Sequence, residues 1–329
     1  MRIGSERHTY EWIDSWAQLP DSSQRRAGWA HHGMATTSTG QVVTFHPGEP
    51  RILVFEPNGT LVRSVEVEIA NAHGLCLVNE EGRDLLWLAD NGAAGPAQVV
   101  KVDLEGRTLA RLERPDLPCY REGRYSPTAV AVHEARFGGN GDVWVADGYG
   151  QSIVHRYDAQ GQYLSSITGE EGAAGPFRTP HGLHIDRRKE EPELYIADRA
   201  NRRIQVYDLE GRYKRSFGAD VLSSPSAFAI DPTSGSLIVA ELRARLAVLD
   251  PDDRLVCYLG ENEAVCTLPG WPNMKDEAGQ TVRTTRLEPG RFNSPHGIAA
   301  DAAGNLYVTE WLIGGRYTRL TRCESADTR

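Results

Sequence analysis

Residues 179–208, TPHGLHIDRRKEEPELYIADRANRRIQVYD, decide the fold of this 329-residue chain. A short apolar run opens on Pro-His-Gly, a charged turn follows, and two stretches of alternating character, ELYIAD and RIQVYD, come next. Alternation of this kind, rich in β-branched and aromatic residues and bounded by turn residues, predicts strands rather than helices. The same pattern recurs five times: HHGMATTSTGQVVTF from His31, AHGLCLVNEEGRDLLWLAD from Ala72, SPTAVAVHEARFGGNGDVWVAD from Ser126, SPSAFAIDPTSGSLIVAE from Ser224 and SPHGIAADAAGNLYVTE from Ser294. Most repeats run on into a third strand and, past a Gly or Asp turn, a fourth.

The equivalent positions of the first strands are His32, His73, Thr128, His181, Ser226 and His296, spaced by 41, 55, 53, 45 and 70 residues. A four-stranded blade takes about 40–50 residues, so six repeats of this length predict an all-β, six-bladed β-propeller with inserted loops. The longest interval contains residues 261–293, which lack alternation and are expected to be a loop. The sixth repeat is one outer strand short. Residues 8–16, HTYEWIDSW, alternate as a strand should and are expected to close the ring by pairing with the last blade. The expected organisation is an N-terminal segment over 1–28, the propeller over 29–323 and a polar tail over 324–329.

Composition narrows the function classes. There are 33 glycines, about one residue in ten against a usual 7% or so, which favours tight turns over long helices. With 36 basic and 45 acidic residues the formal charge is −9, against the net basic face that nucleic acid requires. No apolar run approaches the length of a membrane span, and MRIGSERHTYEW lacks the apolar core of a signal peptide. Five cysteines, an odd number without close pairing, do not read as a disulfide framework. A cytoplasmic protein with no nucleic-acid or membrane partner is expected, taking a small-molecule substrate in the central channel.

Four of the chain's 10 histidines occupy equivalent positions: His32, His73, His181 and His296. The last three belong to blades two, four and six, about 120° apart around a six-fold ring. Three imidazoles converging on one axis match a three-histidine metal site with an open position, for zinc first and other divalent transition metals after it. His32 is left between ligand, base and substrate contact. The second strand ends in a carboxylate in five repeats (Asp90, Asp147, Asp198, Glu241, Glu310), a recurrence expected to be structural because such a side chain accepts backbone N–H bonds from the next turn. The residues just beyond vary (Asn91, Tyr149, Arg199, Trp311), which suits a pocket rim.

Residues 146–152 (ADGYGQS), 177–186 (FRTPHGLHID) and 197–208 (ADRANRRIQVYD) resemble the NHL-repeat propellers, and more closely the peptidyl-α-hydroxyglycine α-amidating lyases. The likeness covers blades one to four well, blade six moderately and blade five poorly. It implies zinc on His73, His181 and His296, Tyr149 as catalytic base and Arg199 as a positive charge in the pocket. Three departures stand out. Pro47 replaces the family's blade-one arginine, with His46 or Arg51 as candidate substitutes. Gly297 replaces an acidic residue beside a structural calcium, so calcium is not implied. Tyr125 and Gly150 stand where disulfide cysteines would be.

Two classes of function follow. One is a metal-dependent lyase or hydrolase, with Tyr149, Arg199, His32 and His46 as the catalytic candidates and Asn91, Arg51 and Trp311 as substrate contacts. The other is a non-catalytic NHL propeller acting as an interaction or ligand-binding module, which gives no reason for histidines in register.

Overall fold

The computed structural model describes residues 1–5 and 7–323; the tail expected over 324–329 lies outside the described residues. Five sheets have four strands each and a sixth has five, all paired antiparallel, so the chain is an all-β, six-bladed propeller. Helical structure among the described residues is limited to Ser23–Ala27 and short 3-10 turns. No helix among them is long and apolar enough to cross a membrane.

Contacts divide the chain into two compact units. The first contains Pro50–Ile52 and Ser64–Pro225, and with them blades two, three and four entire. Blade two runs through Ala72–Glu80, Arg83–Asp90, Gln98–Asp103 and Thr108–Leu112. Blade three runs through Ala129–Val132, Val143–Asp147, Ile153–Tyr157 and Tyr163–Ile167, and blade four through Pro180–Asp186, Glu193–Asp198, Arg203–Tyr207 and Tyr213–Phe217. The inner strands are buried on both faces, and these faces meet those of the neighbouring sheets: Val143 and Val145 point into one layer, Trp144 and Ala146 into the next. Val78, Trp87, Val99, Val130, Val145 and Tyr157 form one such layer, and Trp144, Val154, Phe177, Ile185, Ile196 and Tyr207 the next. Burial at roughly 25 cal/mol per Å² makes these layers the main stabilising element of the unit.

The second unit contains Met1–Glu49, Leu53–Arg63 and the chain from Ser226 on. Its blade five is built from Pro225–Asp231, Ser236–Glu241, Arg245–Leu249 and Leu255–Leu259. Blade six has Pro295–Ala300, Leu306–Glu310 and Arg316–Arg322, and its fourth strand comes from the other end of the chain: His8–Ile13 pairs with Arg316–Arg322, Trp12 opposite Leu320. The expected N-terminal strand is therefore present, but it ends at Ile13, and a fifth strand, Arg2–Ser5, adds outside it. RIGS was unreadable as a strand because four mostly exposed residues carry no apolar period. Residues 261–293 are mainly irregular, with a 3-10 turn at Glu263–Thr267 and a small hairpin, Met274–Lys275 with Thr281–Val282.

The repeated carboxylates do structural work. Asp90 accepts from the N–H groups of Asn71 and Gly92, both at 2.9 Å. Asp147 accepts from Ser126 at 2.6 Å and Gln151 at 2.7 Å, and Glu310 from Asn293 at 2.6 Å and Ser294 at 2.7 Å. Each ties the segment entering the blade to the end of the second strand, where the candidate site residues begin.

Candidate functional site

Within the unit holding blades two to four, His73, Tyr149, His181 and Arg199 meet. His73 enters on the first strand of blade two and His181 on that of blade four; both are 2% exposed. Their rings lie 4.8 Å apart, at 74° to each other. His73 Nδ1–H donates to the carbonyl of Thr128 at 2.8 Å, which leaves the Nε2 lone pair facing the group. Tyr149 Oη is 3.3 Å from His73 Nε2 and 3.0 Å from His181 Nε2. Arg199 Nη1 donates to the same oxygen at 3.3 Å, with its guanidinium 5.2 Å from the centre of the phenol ring. Tyr149 is 37% exposed, so the cluster opens on one side.

The His-Gly dipeptide gains a local explanation. A Cβ on Gly74 would stand 2.6 Å from the Thr128 carbonyl oxygen, the acceptor that orients His73, and one on Gly297 would stand 2.4 Å from the His32 carbonyl oxygen. Glycine after the histidine lets the next blade's backbone close in. The glycines flanking Tyr149 serve the same end and not a left-handed backbone. A Cβ on Gly148 would meet the Pro180 carbonyl oxygen at 2.1 Å, and one on Gly150 the Asp147 carboxylate at 2.1 Å. The position of Gly150 thus excludes a cysteine side chain unless the loop moves.

Beneath this loop lies a buried relay that the repeat pattern did not reveal. Tyr120 Oη–H donates to Asp147 at 2.7 Å; His155 Nε2 is 2.7 Å from the same oxygen, and its Nδ1 lies 2.8 Å from Ser166 Oγ. With the phenol proton given to Asp147, His155 donates through Nε2 to the Tyr120 oxygen. Burial pushes His155 down to about 4, and burial next to the Asp147 carboxylate pushes the Tyr120 phenol far up. Burial also raises the Asp147 carboxyl, against the backbone donors that lower it. Tyr120 sits on an insertion without strand alternation, so no periodic signal marked it. Thr128 acts through its main-chain carbonyl, which any residue carries.

In the other unit, His296 is 4% exposed and its ring lies 6.3 Å from that of His31, edge to face. His32 is fully buried, and its Nε2 is 2.9 Å from Tyr317 Oη, in the layer between blades six and one. His46 Nδ1 accepts from Gly48 N–H at 3.2 Å, inside its own turn. Trp311 packs against Trp29 and Trp271. Arg51 bonds the neighbouring strand, and Asn91 bonds its own turn and, through its carbonyl, Ser126 Oγ at 2.6 Å. Arg51 donates to Ser64 Oγ and to the Ser64 carbonyl at 2.8 and 2.9 Å, and Asn91 Oδ1 accepts from Ala93 N–H at 3.0 Å.

No family model matches the chain. Among curated proteins it is 27% identical over 279 residues to the peptidylglycine alpha-amidating monooxygenase of Rattus norvegicus, covering 79% of this chain and 25% of that protein. It is 30% identical over 245 residues to the probable peptidyl-alpha-hydroxyglycine alpha-amidating lyase of Caenorhabditis elegans, covering 72% of this chain and 60% of that protein. It is 25% identical over 235 residues to the NHL repeat-containing protein 3 of Homo sapiens, covering 67% and 63%. The chain thus spans a quarter of the rat protein and under two thirds of the other two. Among solved structures, a streptogramin B lyase superposes with a TM-score of 0.59 at 14% identity, covering 97% of this chain and 99% of that one, which bears on the fold alone. The chain is a six-bladed β-propeller resembling the NHL-repeat proteins and, among them, the peptidyl-α-hydroxyglycine α-amidating lyases.

Proposed function

We propose that this propeller is a metal-dependent lyase that cleaves the C–N bond of a small hemiaminal, an N-acyl-α-hydroxyglycine in the simplest case, with His73, His181 and His296 as the metal ligands. The observation that carries the proposal is the placement of Tyr149 Oη between two imidazole nitrogens and a guanidinium. The donor set fits a divalent metal. His73 already points its Nε2 lone pair at the cluster through its bond to Thr128, the arrangement that orients metal-bound imidazoles. Further support is that two of the proposed ligands, His73 and His181, are buried with ring centres 4.8 Å apart. Three neutral imidazoles suit zinc first.

When bound, the metal supplies Lewis-acid polarisation of a substrate oxygen. The chain's residues do the proton work. Tyr149 Oη, as phenolate beside Arg199, takes the hydroxyl proton of the substrate. The C–N bond breaks with its electron pair going to nitrogen, and the same proton returns from Tyr149 to that nitrogen, leaving an amide and an aldehyde. Arg199 offsets the negative charge that Tyr149 carries before the transfer.

Metal analysis of untagged protein tests the site. The expected result is one zinc per chain, greatly reduced in His73→Ala, His181→Ala and His296→Ala with the β-sheet spectrum intact. Unchanged metal in all three variants would refute the ligand set. Stoichiometric metal with no turnover of N-acyl-α-hydroxyglycines would leave a metal-bearing binding module instead.

A further inference from the structure

In the unit that holds blades two to four, the apolar layer between blades two and three ends in a cavity of about 550 Å³. Val78, Trp87, Val132 and Val143, all buried members of that layer, line it. Val78 lies on the strand that carries His73, five residues further on, about 16 Å at roughly 3.3 Å per residue. No residue lining the cavity belongs to the Tyr149 cluster.

Hydrogen bonds hold its walls in place. Glu134 opens the insertion between the first two strands of blade three, and its carboxylate accepts from the Asn79 N–H at 3.0 Å, which ties the insertion to blade two. The insertion turns through Ala135–Phe137 and closes on itself. Gly139 N–H donates to the Glu134 carbonyl at 3.0 Å and Gly141 N–H to the His133 carbonyl at 2.8 Å. A Cβ on Gly139 would stand 2.2 Å from the His133 carbonyl oxygen, so this path needs a glycine. A pre-formed hollow of this volume falls in the range of small-molecule sites, about 300–1,000 Å³.

Charge narrows what can enter. Lys101 Nζ donates to both oxygens of Glu80 at 3.0 Å and stands 5.5 Å from the centre of the Trp87 ring. Arg136 pairs with Glu134 at 2.7 Å. Both cations of the lining are thus matched by carboxylates, and Glu81 is exposed in the hairpin turn between Glu80 and Arg83. A charged ligand would exchange its hydration for walls whose charges are already paired, at a net cost. A neutral ring gives up little and covers valine and tryptophan surface. We infer that this cavity binds a neutral, mainly aromatic small molecule, at a site separate from the Tyr149 cluster. The inference stands whether or not the lyase reading holds.

Indole, tryptamine and indole-3-acetate offer one ring system in neutral, cationic and anionic form. In calorimetric titrations of the full chain, indole should bind at least about tenfold more tightly than either charged analogue. Ala135→Trp and Ala159→Trp each put a large ring at an exposed position of the lining. Each should weaken indole binding at least about tenfold with the melting temperature unchanged. Amide NMR of the unaltered protein needs no variant: indole should shift Gly82, Gly139 and Gly141 and leave Gly148 and Gly150, beside Tyr149, where they are. No saturable binding of indole up to its solubility, or a charged analogue binding as tightly, would overturn the inference. So would undiminished binding in both variants, or shifts confined to residues outside the cavity.

Discussion

The side-chain oxygen of Tyr149 faces two imidazole nitrogens, at 3.3 and 3.0 Å. Arg199 donates to the same oxygen at 3.3 Å. A residue placed only to pack would not be surrounded in this way. Tyr149→Phe removes the hydroxyl and leaves the ring that Arg199 covers. Under the proposed chemistry, turnover should fall by at least the roughly 10²-fold typical of a lost general base, with metal content unchanged. A variant within a few-fold of the original rate would take Tyr149 out of the proton transfer.

At the scale of elements, the strand His8–Ile13 decides whether blade six is complete. Trp12 from this strand packs on Phe292 with ring centres 4.6 Å apart and lies under the Arg316 guanidinium at 5.1 Å, in the layer between blades five and six. Arg316 is itself paired with Asp14 at 2.8 Å and Glu310 at 3.1 Å, so the N-terminal segment also completes an ion network at the foot of blade six. Trp12→Ala should cost about 3–5 kcal/mol, the usual range for a large aromatic lost from a core. Deleting residues 1–16 should do more, since it also bares the edge of Arg316–Arg322. An unchanged melting temperature in the truncated protein would mean that the strand adds nothing to stability.

For the whole molecule, stability against pH is tied to the relay under the Tyr149 loop. His155 lies well below its ordinary value of 6.5, at about 4, because burial disfavours the charged ring. The unfolded chain therefore binds a proton that the folded chain refuses. The stabilisation is fully present above about pH 6.5 and is lost as pH falls toward 4, on the order of 3 kcal/mol in all. Asp147, raised by burial, works in the opposite sense: its contribution grows as pH falls through its folded value. His155→Gln, which has no ring to titrate, should flatten the fall in melting temperature between pH 6.5 and 4. An acid limb of unaltered slope would show that the titration of His155 is not what destabilises the protein.

The sequence by itself determined the repeats, and with them the class of fold. The β-branched and aromatic runs ELYIAD, DVWVAD and SLIVAE report strands buried on both faces, and each such strand needs an apolar layer on either side. The recurring carboxylates were legible for the same reason, because a repeated backbone turn poses the same unpaired N–H groups each time. The His-Gly positions were legible as a register, and Trp311 as a rim residue. Only the tertiary structure decided what these residues touch. Thr128 orients His73 through a carbonyl that no side-chain pattern records. Tyr120 reaches Asp147 from an irregular insertion, and Trp29 and Trp271 join Trp311 from segments more than 200 residues apart in the chain. Arg51 and His46, plausible by spacing, turn to local partners in blade one. Periodicity records which face of an element is buried; contacts between irregular segments have no period, so they exist only once the chain has folded.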